Sequence, residues 1–334
     1  MTQASSQSDR TGTNRVNAAQ ADRGPVPRAR ANGRLPEPPP GSCSVLARLR
    51  GDPLLATAAP ASRWLLLEVA AAWPMQIISS PVVAGAAAVL NQVVQRRGGR
   101  VLFVRRPQAT RQPGGDLPSY VVVDAHTRTQ THGVWRPGTA EHAPDLTAAL
   151  ADFDGETPYG QAAQPRLLVC THAKRDQCCA VRGRPLAATL AGTWPEAVWE
   201  CSHLGGDRFA PNVLSLPDGV YLGQVDAADA VAVIGAHLDG RTQAAYFRGV
   251  TMLDHWRQAA LAGALRELGP ADPRALTAYP VTRSATEALL EVTGHPVADR
   301  ITIRVRQVVL PAARRACGDL GDKVAVTYTA DLVP

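Results

Sequence analysis

Two stretches of this 334-residue chain concentrate side chains that bind metals: Cys170-Thr-His172-Ala-Lys-Arg-Asp176-Gln-Cys178-Cys179, and Cys201-Ser-His203-Leu-Gly-Gly-Asp207-Arg208-Phe-Ala-Pro-Asn212. Thiolate and imidazole are donors for zinc and for iron–sulfur clusters, and replacing cysteine by histidine on one iron raises a cluster's reduction potential. Eight residues separate Cys170 from Cys179, enough for a loop to curl around one iron. Cys201 and His203 are two apart and can face one side of a strand. Two groups compete for the fourth ligand: Cys201 is the softer donor, whereas Asp207 offers an oxygen after the turn that Gly205 and Gly206 permit. Zinc is the competing metal, although the short C-x2-C knuckle of structural zinc sites is absent.

Such donors meet only if flanking elements place them at one sheet edge, as α/β folds do with the loops that follow their strands. Leu167 to Val169 reads as an apolar strand ending at Cys170, Pro185 to Leu190 as helix, and Val198 to Ser202 as the next strand. Val213 to Leu216 and Val220 to Val225 flank a Pro-Asp-Gly turn, and Ala227 to Leu238 closes as a helix. That β-α-β-β-β-α order resembles a thioredoxin-like unit over residues 165–240, with its second helix reduced to the loop 203–212. An α/β region precedes it over 43–160, with strands at Trp64 to Val69, Val101 to Val104, Tyr120 to Val123 and Gly133 to Arg136. Helical spacing covers Val82 to Val94 and Leu146 to Phe153. Residues 241–334 carry a helix from Met252 to Leu268, a helical stretch near Ala285 to Val292, and strands Ile301 to Val309 and Lys323 to Thr329; this region either stands apart or completes the N-terminal sheet.

The formal charge is +6, and half of that excess sits in residues 1–40, which hold six arginines against Asp9, Asp22 and Glu37. That segment is polar and proline-rich without apolar periodicity, the composition of a disordered tail. The body is only weakly basic and aromatics make up 5%, so the footprint of a nucleic-acid surface is missing. No apolar run reaches the length of a membrane span, and no secretory signal precedes the body. Six cysteines, four of them between positions 170 and 201, look like a metal or redox site rather than a secreted disulfide framework, and place the protein in the cytoplasm.

Beyond its donors, the stretch Cys170 to Asn212 resembles the sucrase/ferredoxin-like family, thioredoxin-like ferredoxins with a C-x-H-x3-D-x2-C segment followed by H-x-G-G-H-x2-A-x-N. Cys170, His172, Asp176 and Cys179 match the first segment, and His203, Gly205, Gly206, Ala210 and Asn212 match the second; the likeness extends to Cys43 through Glu68 and to Phe247-Arg248-Gly249. The resemblance implies a bacterial member of actinobacterial type, consistent with a composition rich in alanine, valine, arginine and proline. It also implies a 2Fe-2S cluster held by Cys170, Cys179 and His203. Where the family has a second histidine this chain has Asp207, which leaves Asp207 or Cys201 as the fourth ligand. No pair of carboxylates marks sugar hydrolysis, so a sucrase is not expected.

The expected function is therefore single-electron transfer or reduction. No G-x-G-x-x-G opens a helix after a strand, so electrons should arrive from a separate donor reductase and pass to an acceptor the sequence does not name. A zinc-stabilised binding module and a thiol-disulfide oxidoreductase using Cys178-Cys179 are the alternatives. His172 is expected to hydrogen-bond behind the ligands, Asp176 to pair with Arg175, and Arg208 to place a cation near the cluster. Cys43 and Cys317, far from the motif, read as isolated buried thiols, and Cys178 as a packing thiol or a spare ligand.

Overall fold

A computed structural model of the chain describes residues 37–107, 117–155 and 161–334; the tail expected over 1–40 lies outside them except for its last four residues. Helix α1 (Cys43–Arg50) ends at Gly51, whose φ of 64° is the left-handed conformation that closes helices. Strand β1 (Arg63–Glu68), helix α2 (Ala87–Arg96), strand β2 (Arg100–Arg105), strands β3 (Ser119–Asp124) and β4 (Thr129–Val134), helix α3 (Thr147–Asp154) and the two-residue β5 (Gln161–Ala162) follow. The alternation of side chains along β1 sends Leu65 and Leu67 into a core with Phe103, Leu90, Val94 and Phe153, while Trp64 and Leu66 face the opposite side with the cysteines.

The second region begins with β6 (Arg166–Cys170), α4 (Gln177–Thr193), β7 (Val198–Cys201), β8 (Asn212–Leu216), β9 (Val220–Gly223), α5 (Ala230–Leu238) and β10 (Phe247–Val250). Its strands and those of the first region form one mixed sheet in the order β10-β9-β8-β6-β7-β2-β1-β3-β4-β5. Antiparallel pairing of Val104 with Cys201 and of Arg105 with Glu200 makes the join. Among the described residues only β1–β2 and β6–β7 run parallel, so the fold is α/β with a mixed sheet, as the sequence indicates. Helix α4 starts well before the expected Pro185 because the Asp176 side chain accepts a hydrogen bond from the Cys178 amide, a cap that fixes the first turn.

Helix α6 (His255–Leu268) then leads into β11 (Thr277–Arg283), β12 (Glu287–His295), β13 (Ala298–Ala313) and β14 (Lys323–Val333), an antiparallel meander that makes a sheet of its own rather than adding to the first. The stretch Ala285 to Val292, expected as helix from its alanine, leucine and glutamate, is mostly strand β12. Ala288, Leu290 and Val292 alternate into the core that also takes Leu261 and Leu265 of α6, and pairing on both edges overrides the local helix preference.

His237, on α5, is buried with Nδ1 2.8 Å from Thr242 Oγ1. Burial, helped by Arg274, pulls its pKa down to about 4. A histidine kept neutral in the fold binds its proton more readily when unfolded, so the stability it confers is whole above its ordinary pKa near 6.5 and is lost as pH falls toward 4. Urea denaturation should register up to about 3 kcal/mol of destabilisation over that window, and His237→Gln should flatten the upper half of the curve, where carboxylates do not yet titrate.

Candidate metal centre

Strands β6 and β7 lie side by side and end together, with Cys170 in register with Cys201. From Cys170 the chain turns through residues 171–176, where the Asp176 amide donates to the His172 carbonyl at 3.2 Å, and enters α4. Cys178 and Cys179 therefore occupy the first turn of that helix. Its axis runs so close to β6 that a Cβ at Gly183 would collide with the Cys170 carbonyl.

The loop after β7 owes its shape to two glycines and one arginine. Gly205 and Gly206 have φ of 92° and 76°, values that other residues rarely adopt. Arg248 is 1% exposed and lies against them, so a side chain at Gly206 would strike its guanidinium. That guanidinium donates to the Gly205 carbonyl at 3.0 Å, Asn212 Oδ1 at 2.8 Å, and the Thr57 carbonyl and hydroxyl at 2.6 and 3.0 Å. Asn212 in turn donates to the Gly206 carbonyl at 3.0 Å. On the other side, Arg100 donates to the Leu204 carbonyl at 3.2 Å and the His203 carbonyl at 3.4 Å. The Phe-Arg-Gly segment was noticeable in the sequence as part of a family likeness, but its task of holding the second loop was not.

These restraints bring the donor atoms of Cys170, Cys179 and His203 within 4.8 Å of one another. Asp207 Oδ1 completes the arrangement, accepting from the Cys179 thiol at 3.2 Å and lying 3.1 Å from His203 Nδ1. That nitrogen is buried and stays out of alignment for a hydrogen bond, though close enough for charge attraction. Cys201 is also fully buried, beside Cys170 in the sheet, but its sulfur is not among the gathered donors; it packs with Trp64, Leu204 and Tyr221.

The protons distribute unevenly. Contact with the Cys179 thiol and the nearby His203 hold Cys170 well below the usual thiol range against the effect of burial. Cys179, left with the proton, is pushed up by that contact and by burial. Burial alone would pull His203 down, but Asp207 and Cys170 outweigh it and raise it to about 9. Burial likewise pushes Asp207 up, and His203, the Cys179 thiol and Arg175 more than reverse this. These shifts favour a thiolate at Cys170, an imidazolium at His203 and a carboxylate at Asp207 around the Cys179 thiol. Two softer donors, one imidazole and one oxygen are a fitting set for iron or zinc, and binding would displace the protons of Cys179 and His203.

The neighbouring residues depart in part from expectation. His172 does bond behind the site, with Nε2 2.8 Å from the Pro74 carbonyl and its ring edge-on to Trp73. Asp176 makes no ion pair with Arg175; it caps α4 and accepts from the Cys317 amide at 2.7 Å. Arg208 pairs with Asp52 at 3.4 Å and stacks on Phe209, next to Cys43 rather than among the gathered donors. Cys43, Cys178 and Cys317 are not separate packing thiols, since all three sulfurs meet; residues 274 apart in sequence carry no spacing signal that could reveal this.

A profile of the sucrase/ferredoxin-like family matches residues 54–249, more than half of the chain. Among solved structures, two cysteine-to-serine variants of the thioredoxin-like [2Fe-2S] ferredoxin from Aquifex aeolicus are similar to part of it. One is 18% identical, covering 25% of this chain and 97% of that one with a TM-score of 0.23. The other is 21% identical, covering 22% and 87% with a TM-score of 0.20. No curated protein matches.

Replacing Arg248 by methionine removes four hydrogen bonds and leaves buried acceptors without donors. Urea denaturation should show a loss of about 3 kcal/mol or more, and Arg248→Lys, whose ammonium lacks the planar fork, should recover only part of it.

Proposed function

The chain belongs to the sucrase/ferredoxin-like family, and on that premise we propose that it holds a 2Fe-2S cluster and transfers single electrons in the cytoplasm, with Cys170, Cys179, His203 and Asp207 as ligands. The observation that carries this reading is the convergence of Cys170, Cys179 and His203, with Asp207 touching the last two and His203 Nδ1 lacking any aligned partner. The segment β9-β8-β6-β7, with β6 parallel to β7 and antiparallel to β8, and with flanking helices α4 and α5, supports a thioredoxin-like unit as the carrier. Asp207 is preferred to Cys201 because its oxygen already touches both a thiol and the imidazole.

A bound cluster would take up and return one electron at a time. The protein's part is to exclude water from the buried thiolates, set the local charge and hold a proton. An anionic carboxylate in place of a neutral imidazole stabilises the oxidised state, so Asp207 tunes the potential downward. His203, whose side chain is partly exposed, would hold a proton at its outer nitrogen when such a cluster is reduced.

No flavin or nicotinamide motif is present in the sequence, so a separate reductase supplies the electrons; a metal chelate or a second redox protein would receive them. All six cysteines are free thiols, which suits a reducing compartment. No helix among the described residues is long and apolar enough to cross a membrane. Thiol-disulfide chemistry by Cys178-Cys179 is disfavoured because the two sulfurs belong to different donor groups. A second reading, one zinc ion at the same place, is favoured by the compactness of Cys170, Cys179 and His203, whose donor atoms lie within 4.8 Å of one another and can share a single ion, with Asp207 in contact with two of them.

Iron and acid-labile sulfide analysis, with electron paramagnetic resonance of the reduced protein, separates the two. Brown protein with equal iron and sulfide and a reduced-state signal, both lost in Cys179→Ser and kept in Cys201→Ser, is the expected outcome; colourless protein with zinc and no sulfide would establish the second reading. Voltammetry should give a potential that falls as pH rises, approaching about 59 mV per pH unit for one proton and one electron. Asp207→His should raise that potential.

A further inference from the structure

Three cysteines that this centre does not use meet beside it. Cys43 opens α1, Cys178 lies in the first turn of α4, and Cys317 sits in the connection between β13 and β14. Their sulfurs form a nearly equilateral triangle: Cys43 to Cys178 is 3.7 Å, Cys178 to Cys317 is 3.5 Å, and Cys317 to Cys43 is 3.6 Å. Asp176 stands over the triangle, with Oδ2 3.4 Å from Cys43 Sγ, and the four donor atoms all lie within 4.8 Å of one another.

We propose that Cys43, Cys178, Cys317 and Asp176 form a second metal site, which takes one thiophilic divalent cation, zinc, and fastens α1 and the β13–β14 connection to the start of α4. Zinc in a regular tetrahedron of sulfurs at about 2.3 Å sets them about 3.8 Å apart, so the triangle needs to open only slightly to admit it. Three thiols and a carboxylate also crowd together here with the carboxylate 2% exposed, and no lysine or arginine among the described residues pairs with Asp176. A dication placed among these groups supplies the missing counter-charge, and a carboxylate is an accepted fourth ligand. Backbone hydrogen bonds fix that carboxylate in advance: Oδ1 accepts from the Cys178 amide at 2.8 Å and Oδ2 from the Cys317 amide at 2.7 Å. Such outer contacts orient metal ligands. Arg50 and Arg208 near Cys43, and Arg182 near Cys178, offset the remaining negative charge. Cys43 and Cys317 both lie outside the family match over 54–249, so the site joins the flanks of the chain to the part that carries the first centre.

Elemental analysis of the purified full chain, read for zinc, iron and sulfide together, tests the site apart from the first centre. Cys43→Ser and Cys317→Ser should each lose about one zinc per chain relative to the unmodified protein, with iron and sulfide unchanged and with Cys201→Ser as the unaffected control. If the first centre itself holds zinc, the count falls from two to one, which supports the site equally. A chelator should lower the melting temperature of the unmodified chain, zinc should restore it, and Cys317→Ser should respond to neither. Should the variants not fold, cobalt added to chelated unmodified protein should develop the visible absorption of tetrahedral thiolate coordination. Equal zinc in the unmodified and variant proteins, a colourless cobalt titration, or a disulfide between any two of the three cysteines in anaerobically purified protein would overturn the site.

Discussion

The close approach of α4 to β6 governs everything else at the sheet edge. With only a hydrogen atom at Gly183, the helix settles against the Cys170 carbonyl, and its N-terminus comes to rest beside the ends of β6 and β7. Unpaired amides at a helix N-terminus carry partial positive charge, which favours thiolates there. Successive residues on a helix point about 100° apart, so Cys179 turns toward Cys170 and His203 while Cys178 turns toward Cys43 and Cys317. A single capped turn thus serves two groups of donors. A larger residue at position 183 would push both away from the strands at once.

The second loop is held by different physics. Its backbone adopts conformations that suit glycine, and the carbonyls exposed by that path would be costly to bury unpaired. Arg248 answers both needs because it is long, planar and rich in donors, and its guanidinium lies over the rings of Tyr221 and Phe209. Burying a guanidinium without a facing carboxylate is unfavourable by itself, and burial draws its pKa down to about 10. Four hydrogen bonds and two aromatic faces offset that penalty and in exchange define one loop conformation.

How much of this was legible in the sequence depended on how local each signal was. Strand ends at Cys170 and Cys201 are legible in short apolar runs, and the spacing of metal-capable residues singles out Cys170, Cys179, His203 and Asp207. The alternation rule that aligned Cys201 with His203 did not carry through, because β7 stops at Cys201 and His203 already belongs to the loop. Helix-forming composition misled at β12, where neighbouring strands on both sides and α6 decide the conformation. The meeting of Cys43, Cys178 and Cys317 depends on long-range packing alone, and no pattern within any one segment announces it.

The distance along the chain between Cys43 and Cys317 has a consequence for biogenesis. Their 274-residue separation means that the ribosome must synthesise all of the intervening chain before the two sulfurs can meet. Closing so large a loop carries an entropic cost that only a chain already folded in between can reduce. The thiol triangle therefore cannot nucleate folding; it latches a core that is already folded, and during translation Cys43 waits as an open thiol until Cys317 emerges.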